Sequence, residues 1–195
     1  MSLTQSAERA ALNKLIDYLD DNPQENIDKI MDLVNKLVPN RVFPVQREAF
    51  TNVIKSRGNW YDLIMRVFSL NPQMRTKLLK TLIVDANLLA WPEQEKNREK
   101  YQCNVPWAIL LDPTSVCNLH CTGCWAAEYG YKQNLSFEDI DSIVTQGKEL
   151  GTHIYIYTGG EPLVRKHDLI RICEKHQDCV FPVSYTHLTL PTICS

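Results

Sequence analysis

From residue 105 onward the chain alternates short apolar runs with polar, helix-forming stretches, and this alternation most constrains its fold. VPWAILLDPT is an apolar run closed by Asp-Pro and reads as a strand. Ser136, with Asp139 three residues on, caps a helix that runs to about Leu150. HIYIYTGGEP is a second strand ending in glycines, KHDLIRICEKH a second helix and CVFPV a third strand. Strand, crossover helix, strand is the grammar of a parallel sheet or barrel.

The first hundred residues have a different texture. Apolar residues recur at helical spacing over about residues 4–20, with Ala11, Leu12, Leu15, Ile16 and Leu19 on one face. A second helix starts at Asn22, Pro23 and Glu25, an N-cap, N1 and N3 arrangement. Pro44 opens a third, a fourth spans about 59–69, and Asn71-Pro72 opens a fifth. WPEQEKNREKY is charged, carries Pro92 and reads as the exit from this region. No motif in residues 1–100 carries recognisable chemistry, so they read as a helical accessory or docking domain.

Between the first strand and its helix lies CNLHCTGCW, with Cys117, Cys121 and Cys124 within eight positions. The chain has seven cysteines, an odd number, and no secretory leader pattern at its N-terminus, so a disulfide framework is not expected. Cys103, Cys173, Cys179 and Cys194 are scattered and read as small core residues. Three clustered thiols call for a metal. Structural zinc wants four closed ligands. A fourth would have to come from His120, which lies between two of the cysteines, or from distant Cys103, and no second Cys-x-x-Cys pair follows. A cubane [4Fe–4S] cluster normally takes four thiolates; three leave one iron open to an exogenous ligand.

This spacing, on a loop after a first strand, resembles the radical S-adenosylmethionine (radical SAM) superfamily. The second strand's ending, Tyr157-Thr158-Gly159-Gly160-Glu161-Pro162, resembles that family's GGEP motif. The similarity is to the subgroup of molybdopterin-precursor cyclases, nitrogenase-cofactor maturases and peptide-modifying enzymes, and covers roughly residues 105–182. It implies an α/β fold: the N-terminal half of a truncated parallel (β/α) partial barrel at 101–182, preceded by an all-α domain at 1–100. It also implies a [4Fe–4S] cluster on the three cysteines and S-adenosyl-L-methionine (SAM) as cofactors, with Gly159, Gly160 and Glu161 bordering SAM. Gly123 stands where the family often has an aromatic residue before the third cysteine; Trp125 supplies the aromatic surface instead. The implied reaction is reductive cleavage of SAM to a 5′-deoxyadenosyl radical, which abstracts hydrogen from an unknown substrate, a small molecule or peptide. A flavodoxin or ferredoxin would be the electron donor.

Each motif also has a plainer reading. The glycines suit close backbone approach to a ligand, or a turn that needs positive φ. Glu161 suits a cationic amino group, or a hydrogen bond inside its own loop. Trp107 and Trp125 suit packing, and Glu128 and Tyr129 follow the thiols closely enough to face them. The alternative function is a zinc- or cluster-holding module that binds a partner protein without SAM chemistry.

A net charge of −2 with intermixed signs gives no footprint for nucleic acid or a membrane surface. No apolar run reaches the ~20 residues that span a bilayer, so the expected compartment is the cytoplasm. The end, VSYTHLTLPTICS, loses the alternation and resembles a translated sequencing adapter. Residues 183–195 are therefore expected to be a non-native tail, and the chain an N-terminal fragment, inactive by itself.

Overall fold

The computed structural model describes residues 3–40, 42–124, 130 and 133–183. Within these the chain divides into two compact units, Met1–Lys80 and Thr81–Ser195.

The first unit is helical: α1 (Leu3–Asp21), α2 (Pro23–Leu37), α3 (Pro44–Ser56), α4 (Asn59–Val67) and α5 (Pro72–Leu79). Leu19, Ile27 and Ile54 form its centre, packed by Ile30, Met31, Tyr61, Ile64, Met65 and Phe68. Helices α2, α3 and α5 start at prolines, but the caps differ. Asn71 accepts from the amides of Gln73 (3.0 Å) and Met74 (3.4 Å). Asn22 makes no side-chain cap, contrary to expectation; only its carbonyl is used, by the Asn26 amide at 2.9 Å. Arg47 satisfies the other end of α2, donating from Nη1 to Val38 O (3.0 Å) and from Nη2 to Pro39 O (3.3 Å).

The second unit opens with helix. A π-helical stretch, Lys80–Leu89, leads into α6 (Ala90–Tyr101). The charged segment read as an exit is therefore helical, and Pro92 lies inside a continuous helix, just after the π-helical stretch ends. α6 belongs to this unit by its buried amides. Gln94 Nε2 donates to Gly151 O (2.7 Å) and Asn97 Nδ2 to Glu149 O (3.0 Å). Together they hold the end of α7 (Phe137–Leu150). The division between compact units accordingly falls at Lys80, before the expected boundary at 100.

Strands β1 (Ile109–Leu111) and β2 (Tyr155–Tyr157) pair in parallel, Ile109 opposite Tyr155 and Leu111 opposite Tyr157. The unit is thus helix-rich α/β around a small parallel sheet. Beyond β2 come a 3₁₀ turn (Pro162–Arg165) and α8 (Lys166–Lys175). The expected third strand is present as two parallel bridges, Ile154 to Val180 and Tyr157 to Val183. Pro182 lies between them and has no N–H to lengthen the ladder. Val183, grouped by sequence with the tail, pairs with β2 instead; residues 184–195 lie outside the described residues.

The core of this unit is Leu111, Ile140, Val144, Tyr155, Tyr157, Leu169, Ile172 and Cys179. Phe181 stacks on both sheet tyrosines, at 5.8 Å from Tyr155 and 5.7 Å from Tyr157. Among the described residues no helix is long and apolar enough to cross a membrane.

Candidate functional site

The C-terminal ends of β1 and β2 carry the two loops that the sequence singled out. From Leu111 the chain runs through Asp112 to Val116 and enters the thiol loop. That entry is hydrogen-bonded to the glycine loop for its whole length. The amide of Thr158 donates to Leu111 O (2.9 Å), that of Gly160 to Thr114 O (2.9 Å), and that of Glu161 to Val116 O (2.9 Å). The last bond places the Glu161 backbone one residue from Cys117.

Both glycines are required by this pairing. Gly159 has φ +95°, and a Cβ there would lie 2.8 Å from the Asp112 Cβ. A Cβ on Gly160 would lie 2.3 Å from Val116 O. Glu161 is buried, and its Oε1 accepts from the Leu163 amide at 2.9 Å, capping the 3₁₀ turn. That is the hydrogen bond within its own loop that the sequence allowed. Asp112 is exposed overall, yet partial burial of its carboxyl raises its pKa from the ordinary value.

The thiol loop is closed at its base. Thr114 bridges antiparallel to Asn134. The Ser115 amide donates to Gln133 O (2.8 Å) and the Leu135 amide to Pro113 O (3.1 Å). Thr114 is buried, and its Oγ1 both donates to Asn134 Oδ1 (2.5 Å) and accepts from the Val116 amide (3.0 Å). Arg165 spans this base from the far side of the glycine loop. Its Nη1 donates to the carbonyls of Leu135 and Pro113, the latter at 3.3 Å, while Asp168 receives Nε at 3.1 Å. Sequence reading missed Arg165, Thr114 and Asn134. Their partners are 20 to 52 residues away, and no local pattern marks them.

Within the loop, Cys117, Cys121 and Cys124 form no disulfide, and each is half-buried. The Leu119 amide donates to Cys117 Sγ at 3.4 Å. The Cys124 amide donates to Cys121 O at 3.2 Å, closing a four-residue turn. Gly123, the third residue of that turn, has φ +73° with open space where a Cβ would stand. His120 is exposed. Trp107 is exposed too, its Nε1 donating to Asn87 Oδ1 at 2.9 Å. Trp125, Glu128 and Tyr129 lie outside the described residues.

Comparison with known proteins gives a consistent answer. Residues 111–191, which contain both loops, match the radical SAM superfamily. A GTP 3',8-cyclase of Alkaliphilus metalliredigens is 44% identical over 73 residues, 35% of this chain and 22% of the cyclase. A GTP 3',8-cyclase of Mesorhizobium japonicum is 37% identical over 75 residues, 36% of this chain and 23% of the cyclase. An uncharacterized protein of Archaeoglobus fulgidus is 31% identical over 85 residues, 42% of this chain and 20% of that protein. The matches thus span between a fifth and a quarter of these relatives. No solved structure matches.

Proposed function

We propose that this chain, whose residues 111–191 match the radical SAM superfamily, is an enzyme of that kind in which Cys117, Cys121 and Cys124 hold a [4Fe–4S] cluster with SAM bordered by Gly159, Gly160 and Glu161. The observation that carries this reading is the bond from the Glu161 amide to Val116 O, which joins the glycine loop to the residue before the first thiol. The cluster, when bound, supplies one-electron reduction of the SAM sulfonium, and so starts hydrogen abstraction from a substrate.

The donor set suits such a cluster: three thiols on one loop, with a fourth position left to an exogenous ligand. The chain's own groups do the positioning. The Leu119 N–H lowers the charge density on Cys117 sulfur, the kind of contact that tunes a cluster. The turn at Gly123 turns the chain back between Cys121 and Cys124. Glu161 fixes the glycine loop by capping the turn after it. The parallel sheet is then the beginning of a (β/α) barrel, with the cofactors at the C-terminal ends of its strands. A cytoplasmic flavodoxin or ferredoxin is the electron donor in this reading. The cyclase relatives are named for GTP; the likeness carries over SAM chemistry and not their substrate.

The test is anaerobic reconstitution. About four irons per chain and visible absorption are expected, both lost in Cys121→Ala. With dithionite and SAM, the whole protein should release 5′-deoxyadenosine. A colourless protein holding one zinc at these thiols would overturn the proposal in favour of a zinc-holding module.

A further inference from the structure

The opposite end of the sheet, before β2 and before the third strand segment, holds another group of ligating side chains. His153, Asp178 and Cys179 each present one donor atom, and the three atoms all lie within 4.8 Å of one another. We propose that these three residues form a second metal site, for a borderline divalent ion of the zinc type, which pins the N-terminal ends of two adjacent parallel strands. This site is independent of whatever the thiol loop binds.

The spacing is the first argument. Zinc bonds of about 2.3 Å to sulfur and about 2.0–2.2 Å to nitrogen and oxygen give tetrahedral edges of roughly 3.3–3.6 Å. Cys179 Sγ lies 3.8 Å from His153 Nδ1, and Asp178 Oδ2 lies 3.7 Å from the same nitrogen. A contraction of a few tenths of an ångström makes both edges tetrahedral. The second argument is the donor chemistry. One thiol, one imidazole and one carboxylate are the mixed set that zinc takes, and magnesium or calcium would not use the sulfur.

The third argument is the frame. Val180 N donates to His153 O (2.8 Å) and Tyr155 N to Val180 O (2.9 Å), so the backbone already holds the ligands in register. Lys148 Nζ binds Asp178 Oδ1 at 2.8 Å and leaves Oδ2, the oxygen beside Nδ1, for the ion. Asp85, a buried carboxylate on the π-helical stretch, acts electrostatically on both His153 and Cys179 and offsets the Lys148 charge. On binding, the Cys179 proton leaves to solvent and the imidazole proton resides on Nε2. The Nδ1 contact with Asp178 O (3.1 Å) is exchanged for the metal bond. A water completes the four ligands.

Cobalt(II) is the probe. The full chain with Cys117, Cys121 and Cys124 all replaced by Ser should bind one Co²⁺. It should show a thiolate-to-cobalt charge-transfer band and tetrahedral ligand-field bands. Adding Cys179→Ala should abolish the charge-transfer band. His153→Gln should weaken binding by at least the ~10–100-fold that loss of an outer-shell partner costs. Zn²⁺ should displace Co²⁺ at one equivalent. A chain of unchanged circular dichroism that shows no charge-transfer band overturns the proposal, and so does a band that survives Cys179→Ala. Where the triple-Ser chain fails to fold, the unsubstituted chain decides: Cys179→Ala must remove one bound Co²⁺ equivalent, and an unchanged stoichiometry overturns the site.

Discussion

Gly123 and Gly160 are both loop glycines next to the thiols, and they answer different demands. Gly123 is there for its backbone angle, with empty space around the missing Cβ. Gly160 has no positive φ; it is there because the Val116 carbonyl fills the place of a side chain. The motif was legible in the sequence because GGEP sits in one run of residues. The identity of what presses on Gly160 was not, since Val116 lies on another strand's exit. The two glycines therefore make a controlled pair. Gly123→Ala should cost only the left-handed backbone penalty, about 1–2 kcal/mol, and leave most iron uptake intact. Gly160→Ala must displace Val116 and with it Cys117, so iron uptake and SAM binding should fall together. Iron per chain after anaerobic reconstitution and SAM-induced changes in the paramagnetic resonance spectrum report the two quantities. Full iron with weakened SAM binding in Gly160→Ala would mean that this glycine faces the ligand rather than the Val116 backbone.

At the scale of elements, local chemistry was readable and long-range chemistry was not. Ser136 and Asp139 form a complete capping box, the Ser136 amide donating to Asp139 Oδ2 at 2.8 Å and the Asp139 amide to Ser136 Oγ at 3.0 Å. Both groups lie within four residues, so the sequence shows them. Helix α6 misled because its inward face is amide rather than apolar: Gln94 and Asn97 are buried by hydrogen bonds to the end of α7. A hydrophobic pattern cannot report that. Arg165 is the sharpest case. It closes the base of the thiol loop through two carbonyls, and charge-assisted bonds of this kind are worth about 1.5–3 kcal/mol each. Arg165→Met keeps the side chain's bulk and removes those donors. Hydrogen exchange over residues 114–134 should then accelerate, while the cluster-free protein keeps its circular dichroism. Arg165→Lys, which keeps the charge but loses the planar fork, should fall between the two. Exchange over 114–134 that is unchanged in Arg165→Met would show that the antiparallel base holds without the clamp.

At the scale of the whole molecule, two hydrophobic centres share no residue. Leu19, Ile27 and Ile54 serve the helical unit; Leu111, Ile140, Val144 and the sheet tyrosines serve the α/β unit. Each compact unit thus has its own reason to fold, which is the condition under which a chain departs from a single two-state transition. A ligand that binds the folded form of one unit stabilises that unit by RT ln(1 + [L]/Kd), about 2.7 kcal/mol when it is present at a hundred times Kd. Both metal proposals place their ions in the second unit, the cluster at one end of the sheet and zinc at the other. Denaturant titration read by hydrogen exchange should therefore resolve two transitions. Loading the thiol loop should move the transition of peptides from residues 105–183 to higher denaturant, and leave that of peptides from α1 to α4 in place. If peptides from both units shift together, the helical half is folded by the same cooperative event as the site. The division at Lys80 would then be one of contacts and not of energy.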